Sequence, residues 1–379
     1  MKYITGAKII TDNAVLDNHV LGFEDDFSFI IPLENFNPEN KEIIDARGLF
    51  AAPGLIDLHI HGYGGKDTMA GTIEALETIS SAIVKNGVTA FLTTTMTMDI
   101  PSIKNALETV RKGMKHEFHG AQLIGAHMEG PFINESFKGA QAAEYIIEPD
   151  FELVDEYTDV IRLVTLAPEL PGALDLIGKL KEKGIIASAG HSAASLEEML
   201  AGIEAGVSHS THLFNAMTGI HHRKPGVALV ALTQDIYCEL IADKIHVHPQ
   251  IFELVFKSKG PDRITLVTDC IEAGGMGEGV YSLGGQKVYV KDGAARLSDG
   301  TLAGSILKLN EGLRNFYENT NASITEVFRM GSLNPARELG IEDKKGSIAP
   351  GKDADFFLMD DSFNVKATFI KGQCVYKLN

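Results

Sequence analysis

The residues best suited to chemistry stand at the ends of short apolar runs. His59 and His61 form an H-x-H in LIDLHIHG, followed directly by the turn Gly62-Tyr63-Gly64-Gly65. On a strand, residues two apart share a face, so both imidazoles are expected to point the same way. Glu129 closes AQLIGAHMEG, with His127 two residues earlier on the same face. His191 closes GIIASAGH, His212 stands in GVSHSTHLFN and Asp269 ends RITLVTD. A carboxylate at the end of an apolar strand is costly unless it is paired or holds a cation.

Each of these residues alone also fits a plainer role. His59 and His61 fit a hydrogen-bonded core pair, Glu129 a loop-edge ion pair, and His191 and His212 stray surface histidines; His209 reads as structural. Together, five strands end in imidazole or carboxylate, as if converging on one mouth. Those donors suit Zn, Fe, Mn or Ni, and no cysteine stands among the strand-end ligands to make a sulfur-rich structural zinc site. One or two divalent ions held there would lower the pKa of bound water and polarise a carbonyl. Asp269 is then the group to take the water's proton and return it to a leaving group. The chemistry expected is hydrolysis of an amide or related C–N bond.

The elements that must position these residues follow a regular rhythm. Strand candidates fall at 55–62, 89–96, 121–130, 160–169, 184–191, 206–215, 236–247 and 263–269. Between them lie helical patterns such as TIEALETISSAIVKNG, PSIKNALETVRKGM, GALDLIGKLKEKG, SLEEMLAGIEAG and HPQIFELVFKSKG, most of which stop on glycine. Eight strands with interleaved helices predict a closed (β/α)8 barrel with its chemistry at the strands' C-terminal ends. A doubly wound open sheet is the alternative, but no glycine-rich nucleotide turn opens the first unit. Residues 279–298 read as a hairpin over the barrel mouth. Short strands at both ends predict one small β-sandwich from residues 1–52 and 346–379, leaving 53–345 as the barrel.

Composition limits the partners. The chain has 379 residues, 44% of them hydrophobic, with 34 Lys and Arg against 51 Asp and Glu, a formal charge of −17. Such a balance excludes a nucleic-acid backbone binder and an anionic membrane surface. A small anionic substrate remains open, provided its pocket is locally positive. The cysteines, Cys238, Cys270 and Cys374, are far apart and odd in number, which fits a reducing compartment. The first residues lack the apolar stretch of a signal peptide, and no eighteen-residue apolar run occurs, so a cytoplasmic protein is expected.

The motifs also resemble a known family. PGLIDLHIHG (53–62), the strand-end His and Asp positions and GSIAPGKDAD (346–355) resemble the amidohydrolase superfamily. Within it, HMEGPF (127–132), KGAQ (138–141), AGHS (189–192), THLFNAM (211–217), LVTD (266–269) and LAGS (302–305) are similar to the amino-sugar-phosphate deacetylases. The likeness runs in order over nearly the whole chain. It implies a barrel plus small β-sandwich that hydrolyses the acetamide of N-acetylglucosamine 6-phosphate to glucosamine 6-phosphate and acetate. Glu129, His191 and His212 would be metal ligands and Asp269 the general base and acid. Ala140, Asn215 with the Ala216 backbone, Arg223 and His246 would contact the sugar phosphate, and Leu302, Ala303 and Gly304 would line the sugar.

The resemblance further implies a homodimer in which the phosphate-binding arginine, here Arg223, comes from the neighbouring subunit. Arginine offers a planar fork to phosphate, and His221, His222 and Lys224 beside it make a basic loop on an acidic chain. Some members lack the first-strand histidines; with both His59 and His61 present, a second ion is expected, bridged by Glu129. Where some members carry a histidine after KGA, this chain has Gln141, which can donate a neutral hydrogen bond only. Another amidohydrolase, such as a deaminase or cyclic-amide hydrolase, and a non-catalytic barrel scaffold are the competing readings.

Overall fold

The alternating runs form an eight-stranded parallel sheet in the computed structural model of the chain, which describes residues 1–378. Its strands are β1 (Leu55–Ile60), β2 (Val88–Thr95), β3 (Gln122–Glu129), β4 (Ile161–Leu166), β5 (Ile186–Ala189), β6 (Val207–Ser210), β7 (Tyr237–Ile241) and β8 (Ile264–Val267). They pair in sequence order, and the last returns to the first. Asp269 N–H donates to His59 O at 2.8 Å, and His61 N–H to Cys270 O at 2.9 Å. The sheet is a closed TIM-type barrel; the open doubly wound arrangement is excluded.

A helix follows each strand. The sequence patterns locate Ile73–Ile83, Ile100–Gly113, Ala173–Glu182, Leu196–Ala205, Pro249–Lys259 and Leu309–Glu318. Their starts follow from capping: Thr72 accepts from Ala75 N–H, Asp99 from Ser102 N–H, and Ser195 with Glu198 forms a capping box. The helices after β3 and β6, Phe151–Asp155 and Val227–Thr233, are only 5 and 7 residues long. Neither is long enough to repeat an apolar period.

Every barrel strand ends earlier than the sequence predicts, and at three of them the difference matters to the site. β5, β6 and β8 stop at Ala189, Ser210 and Val267, two residues before His191, His212 and Asp269. These three residues have φ of 49°, 29° and 49°. Burial continues past the strands, so the apolar alternation runs on while the backbone has already turned. Left-handed backbone at a non-glycine residue costs about 1–3 kcal/mol and is concentrated at functional sites.

Both chain ends contribute to a small β-sandwich. One sheet has four strands, Phe27–Pro32, His19–Phe23, Lys2–Thr5 and Glu42–Asp45. The other sheet has six, in the order Gln373–Lys377, Val365–Ile370, Phe356–Met359, Phe50–Pro53, Lys8–Ile10 and Val15–Leu16. The central C-terminal strand is buried on both faces, which is why it reads FFLM without polar alternation. Phe356 and Leu358 join the sandwich core with Phe23 and Phe27, whereas Phe357 and Met359 join the barrel's core. Burying each such side chain stabilises the join by about 1.5–3 kcal/mol.

The expected hairpin over the mouth is a three-stranded antiparallel sheet, Gly279–Leu283, Gln286–Lys291 and Ala294–Arg296. Gly284 and Gly285 turn its first corner at φ 54° and 79°, a backbone that the primed hairpin turns require. Its inward residues Leu283, Val288, Val290 and Ala295 pack with Met96, Ile271 and Ala303. Below the barrel, the helical run from Ile324 to Glu338 contains a π turn, Arg329–Leu333. Ser332 Oγ donates to Gly54 O at 2.7 Å, and Asn334 Nδ2 to Ile264 O at 2.8 Å, tying this run under β1 and β8. No described helix is long and apolar enough to cross a membrane.

Candidate metal centre and active site

Three side chains meet at the C-terminal ends of β3, β5 and β6. Glu129 Oε1 lies 3.1 Å from His191 Nε2 and 3.2 Å from His212 Nε2, and the two imidazole nitrogens are 3.1 Å apart. His191 Nδ1 lies 2.9 Å from Phe137 O. A carbonyl can only accept, so Nδ1 carries the proton and Nε2 turns its lone pair toward Glu129. His212 Nδ1 is buried without a protein partner. A carboxylate and imidazole lone pairs at such separations repel one another unless a cation or extra protons lie between them. The donor set therefore fits a divalent metal ion.

A second trio adjoins the first. His59 and His61 do share a face, with Nε2 atoms 3.3 Å apart and each within 3.4 Å of Asp269 Oδ1. Glu129 stands between the trios, with Oε1 3.6 Å from His59 Nε2 and Oε2 3.3 Å from His61 Nε2. Burial opposes charge on both histidines, but Glu239, Asp269 and Glu129 outweigh it at His59, lifting its pKa to about 9. At His61, Asp269 and Glu129 overcome burial and lift it to about 10. Against the same burial, the histidines hold Glu129 well below the usual carboxylate range, and they also lower Asp269. The trios gather two carboxylates with no lysine or arginine beside them, a donor set suited to a cation.

His127 lies beneath this centre and is spoken for. Its Nδ1 is 3.2 Å from Leu58 O and its Nε2 2.7 Å from Thr165 Oγ1. Burial, then the neighbouring His59, pushes its pKa down to about 3, so it is neutral. His209 is also buried, paired with Glu338 and 3.3 Å from Glu239. Two carboxylates here carry roles that the motif reading passed over. Glu239 on β7 lies 2.9 Å from His59 Nδ1. Asp57 on β1 accepts from Thr268 Oγ1 at 2.6 Å, and burial, moderated by that bond, raises its pKa to about 7. The signal was present in both cases: a lone carboxylate inside an apolar strand, YCELI and LIDLHI.

A cavity opens above the trios. Its wall includes His61, Glu129, His191, His212 and Asp269, together with Ala140, Gln141, Asn215, Ala216, His246, Leu302 and Gly304. Leu283 of the overlying sheet and Thr301 complete the rim. His246 is aimed by Asp243, whose Oδ2 lies 2.7 Å from its Nδ1. Gln141 is committed at both ends of its amide: Oε1 accepts from Thr97 N–H at 2.8 Å, and Nε2 donates to Glu129 Oε2 at 2.6 Å. Asn215 Nδ2 donates to His212 O at 3.2 Å, inside a turn where His212, Phe214 and Ala216 all have positive φ.

Three expected residues do not line the cavity. His59 is wholly buried below the cavity floor, reaching it only through Asp269, Glu129 and His61. Ala303 turns away from the cavity into the apolar cluster of the overlying sheet, since its neighbours Leu302 and Gly304 take the cavity side. Arg223 is exposed on the loop after β6, its Nη1 2.6 Å from His222 Nε2, and does not line the cavity of its own chain.

Imidazole and carboxylate ligands gathered at the C-terminal mouth of a closed parallel barrel define a class. The chain belongs to the amidohydrolase family, whose model matches residues 50–375. It is 42% identical over 377 residues to the N-acetylglucosamine-6-phosphate deacetylase of Bacillus subtilis (strain 168), covering 97% of this chain and 95% of that one. The crystal structure of N-acetylglucosamine-6-phosphate deacetylase from Pasteurella multocida superposes with a TM-score of 0.94 at 34% identity, covering 98% and 99% of the two chains. An N-acetylgalactosamine-6-phosphate deacetylase of Escherichia coli O157:H7 is 35% identical, with 97% of each chain covered.

Proposed function

We propose that the chain hydrolyses the acetamide of N-acetylglucosamine 6-phosphate, giving glucosamine 6-phosphate and acetate. The observation that carries this reading is the placement of Asp269: its Oδ1 lies 3.3 Å from His61 Nε2, and the side chain also lines the cavity. Glu129, His191 and His212 would hold one divalent ion, and His59, His61 and Asp269 a second, with Glu129 shared. Zn, Fe and Mn all suit these donors. Metal bound there lowers the pKa of water and polarises the acetamide carbonyl.

The remaining work falls to the chain's own groups. Asp269, ionised because its neighbours lower its pKa, accepts a proton from the attacking water. It returns that proton to the sugar nitrogen as the C–N bond breaks. Acetate leaves ionised, and the freed amine takes up the remaining proton at neutral pH. Gln141 would not polarise the carbonyl as a charged donor: its amide is held by Thr97 and Glu129, so it steadies the shared carboxylate. His246, Asn215, Ala140, Leu302 and Gly304 would contact the sugar.

Arg223, which does not line the cavity of its own chain, would bind phosphate in the partner subunit of a homodimer. The exposed loop with His221, His222 and Lys224 supports that role. A substrate panel tests the function: N-acetylglucosamine 6-phosphate, its galacto epimer, unphosphorylated N-acetylglucosamine, and deaminase and cyclic-amide substrates. Acetate release from the first, well above the others, is expected. Turnover of a deaminase or cyclic-amide substrate alone would overturn the assignment.

A further inference from the structure

We propose that Glu239, backed by His209 and Glu338, is a positioning residue that holds the two halves of the metal centre in register. The inference rests on the metal-centre reading above. Glu239 projects from β7, is completely buried and contributes nothing to the cavity wall. Its carboxylate nevertheless reaches a ligand from each trio. Oε2 lies 2.9 Å from His59 Nδ1 and accepts from the His212 backbone N–H at 3.0 Å.

Each contact has a distinct effect. At His59 it assigns the proton to Nδ1, so that Nε2 faces His61 and Asp269. At His212 it pins the backbone of a residue whose φ is 29°, the turn that aims Nε2 at Glu129. One oxygen atom thus sets a side chain of the first strand and a backbone turn after the sixth. A lone ionised carboxylate inside a barrel strand is expensive to keep, and here its partners are the ligands themselves.

The second oxygen faces a support. Glu239 Oε1 lies 3.3 Å from His209 Nε2, a charge contact without hydrogen-bond alignment. His209 Nδ1 pairs with Glu338, which also accepts from Thr265 Oγ1. Carboxylates and imidazoles therefore alternate from the helix Asn334–Glu338, beneath the barrel, up to His59. The π turn preceding that helix places Glu338 under β6 and β8.

The test compares Zn(II) binding by the full-length wild type, Glu239→Gln and His127→Asn, through competition with a chromophoric chelator and metal content at buffered free Zn(II). Glu239→Gln keeps the shape and removes the charge, and its Zn(II) affinity is expected to fall about 10- to 100-fold. His127→Asn removes an equally buried imidazole whose ring centroid is 4.5 Å from that of His59 but which bonds only Leu58 and Thr165. It is expected to lose thermal stability and keep wild-type affinity. Unchanged affinity in Glu239→Gln overturns the proposal, and so does an equal loss in His127→Asn, which would make the effect one of packing. A wild type that binds no divalent ion overturns the metal-centre reading instead. Should Glu239→Gln not fold, Glu338→Gln is expected to weaken Zn(II) about twofold to tenfold, and no change there overturns the proposal.

Discussion

Asp269 stands where the second trio meets the cavity, within 3.4 Å of both His59 and His61. Replacing it by asparagine keeps the size and removes the proposed base, so kcat is expected to fall about 10²- to 10⁴-fold while the ion of Glu129, His191 and His212, measured as metal content on the same protein, is retained. Arg223 predicts a different pattern. Loss of a charge-assisted bond to phosphate costs about 1.5–3 kcal/mol, so Arg223→Ala is expected to raise KM for the phosphorylated sugar about 10- to 100-fold. Activity on unphosphorylated N-acetylglucosamine should hardly change; an equal loss on both would contradict the phosphate role. Much of this site was legible because a histidine or carboxylate closing an apolar run has few inexpensive explanations. Glu239 escaped notice because it lies inside its strand rather than at the end. The positive φ of His191, His212 and Asp269 left no mark at all, since none is glycine.

Among the elements, the segment 302–305 shows how little room the turn at Asp269 has. Ser305 N–H donates to Asp269 O at 2.7 Å, and Ser305 Oγ to Thr268 O at 2.6 Å. Gly304 has φ 59°, and a Cβ there would lie 2.5 Å from Ile271 Cγ2 and 2.9 Å from Asp269 O. Gly304→Ala is therefore expected to destabilise the fold by about 1–3 kcal/mol in thermal melts and to lower kcat by displacing Asp269. A C-terminal turn offers a test of pH dependence. Burial opposes ionisation of Asp360, but bonds from Lys366, Asn364 and Ser362 prevail and lower its pKa to about 2. A depressed folded pKa stabilises only where the unfolded carboxyl is ionised. The stability difference between wild type and Asp360→Asn should be full above about pH 5 and be lost as pH falls through about 2 toward 1. A difference independent of pH across that window would contradict it. Longer helices and barrel strands were legible through period and caps. The short helices after β3 and β6 were not, because 5 and 7 residues carry no repeat.

For the whole molecule, the formal charge of −17 is no bar to an anionic substrate, because the proposed metal centre and the basic loop around Arg223 would be local exceptions. The dimer reading yields a complementation test. Arg223→Ala and Asp269→Asn subunits, each weak alone, should recover activity at low substrate when mixed. With random exchange about half the dimers are mixed, each carrying one complete site. No recovery, with exchange shown by size or mass, would contradict a shared site. The barrel and the sandwich of both termini were legible as classes of element. Their join was not, since FFLM gives no sign that alternate residues face two different cores. The central claim, metal-dependent deacetylation at the Glu129 centre, is tested most directly by acetate release from N-acetylglucosamine 6-phosphate before and after chelation and refilling with Zn, Fe or Mn. The account predicts that turnover disappears with the metal and returns in proportion to metal bound, with glucosamine 6-phosphate formed in equal amount. Undiminished turnover by protein shown to be metal-free would contradict it.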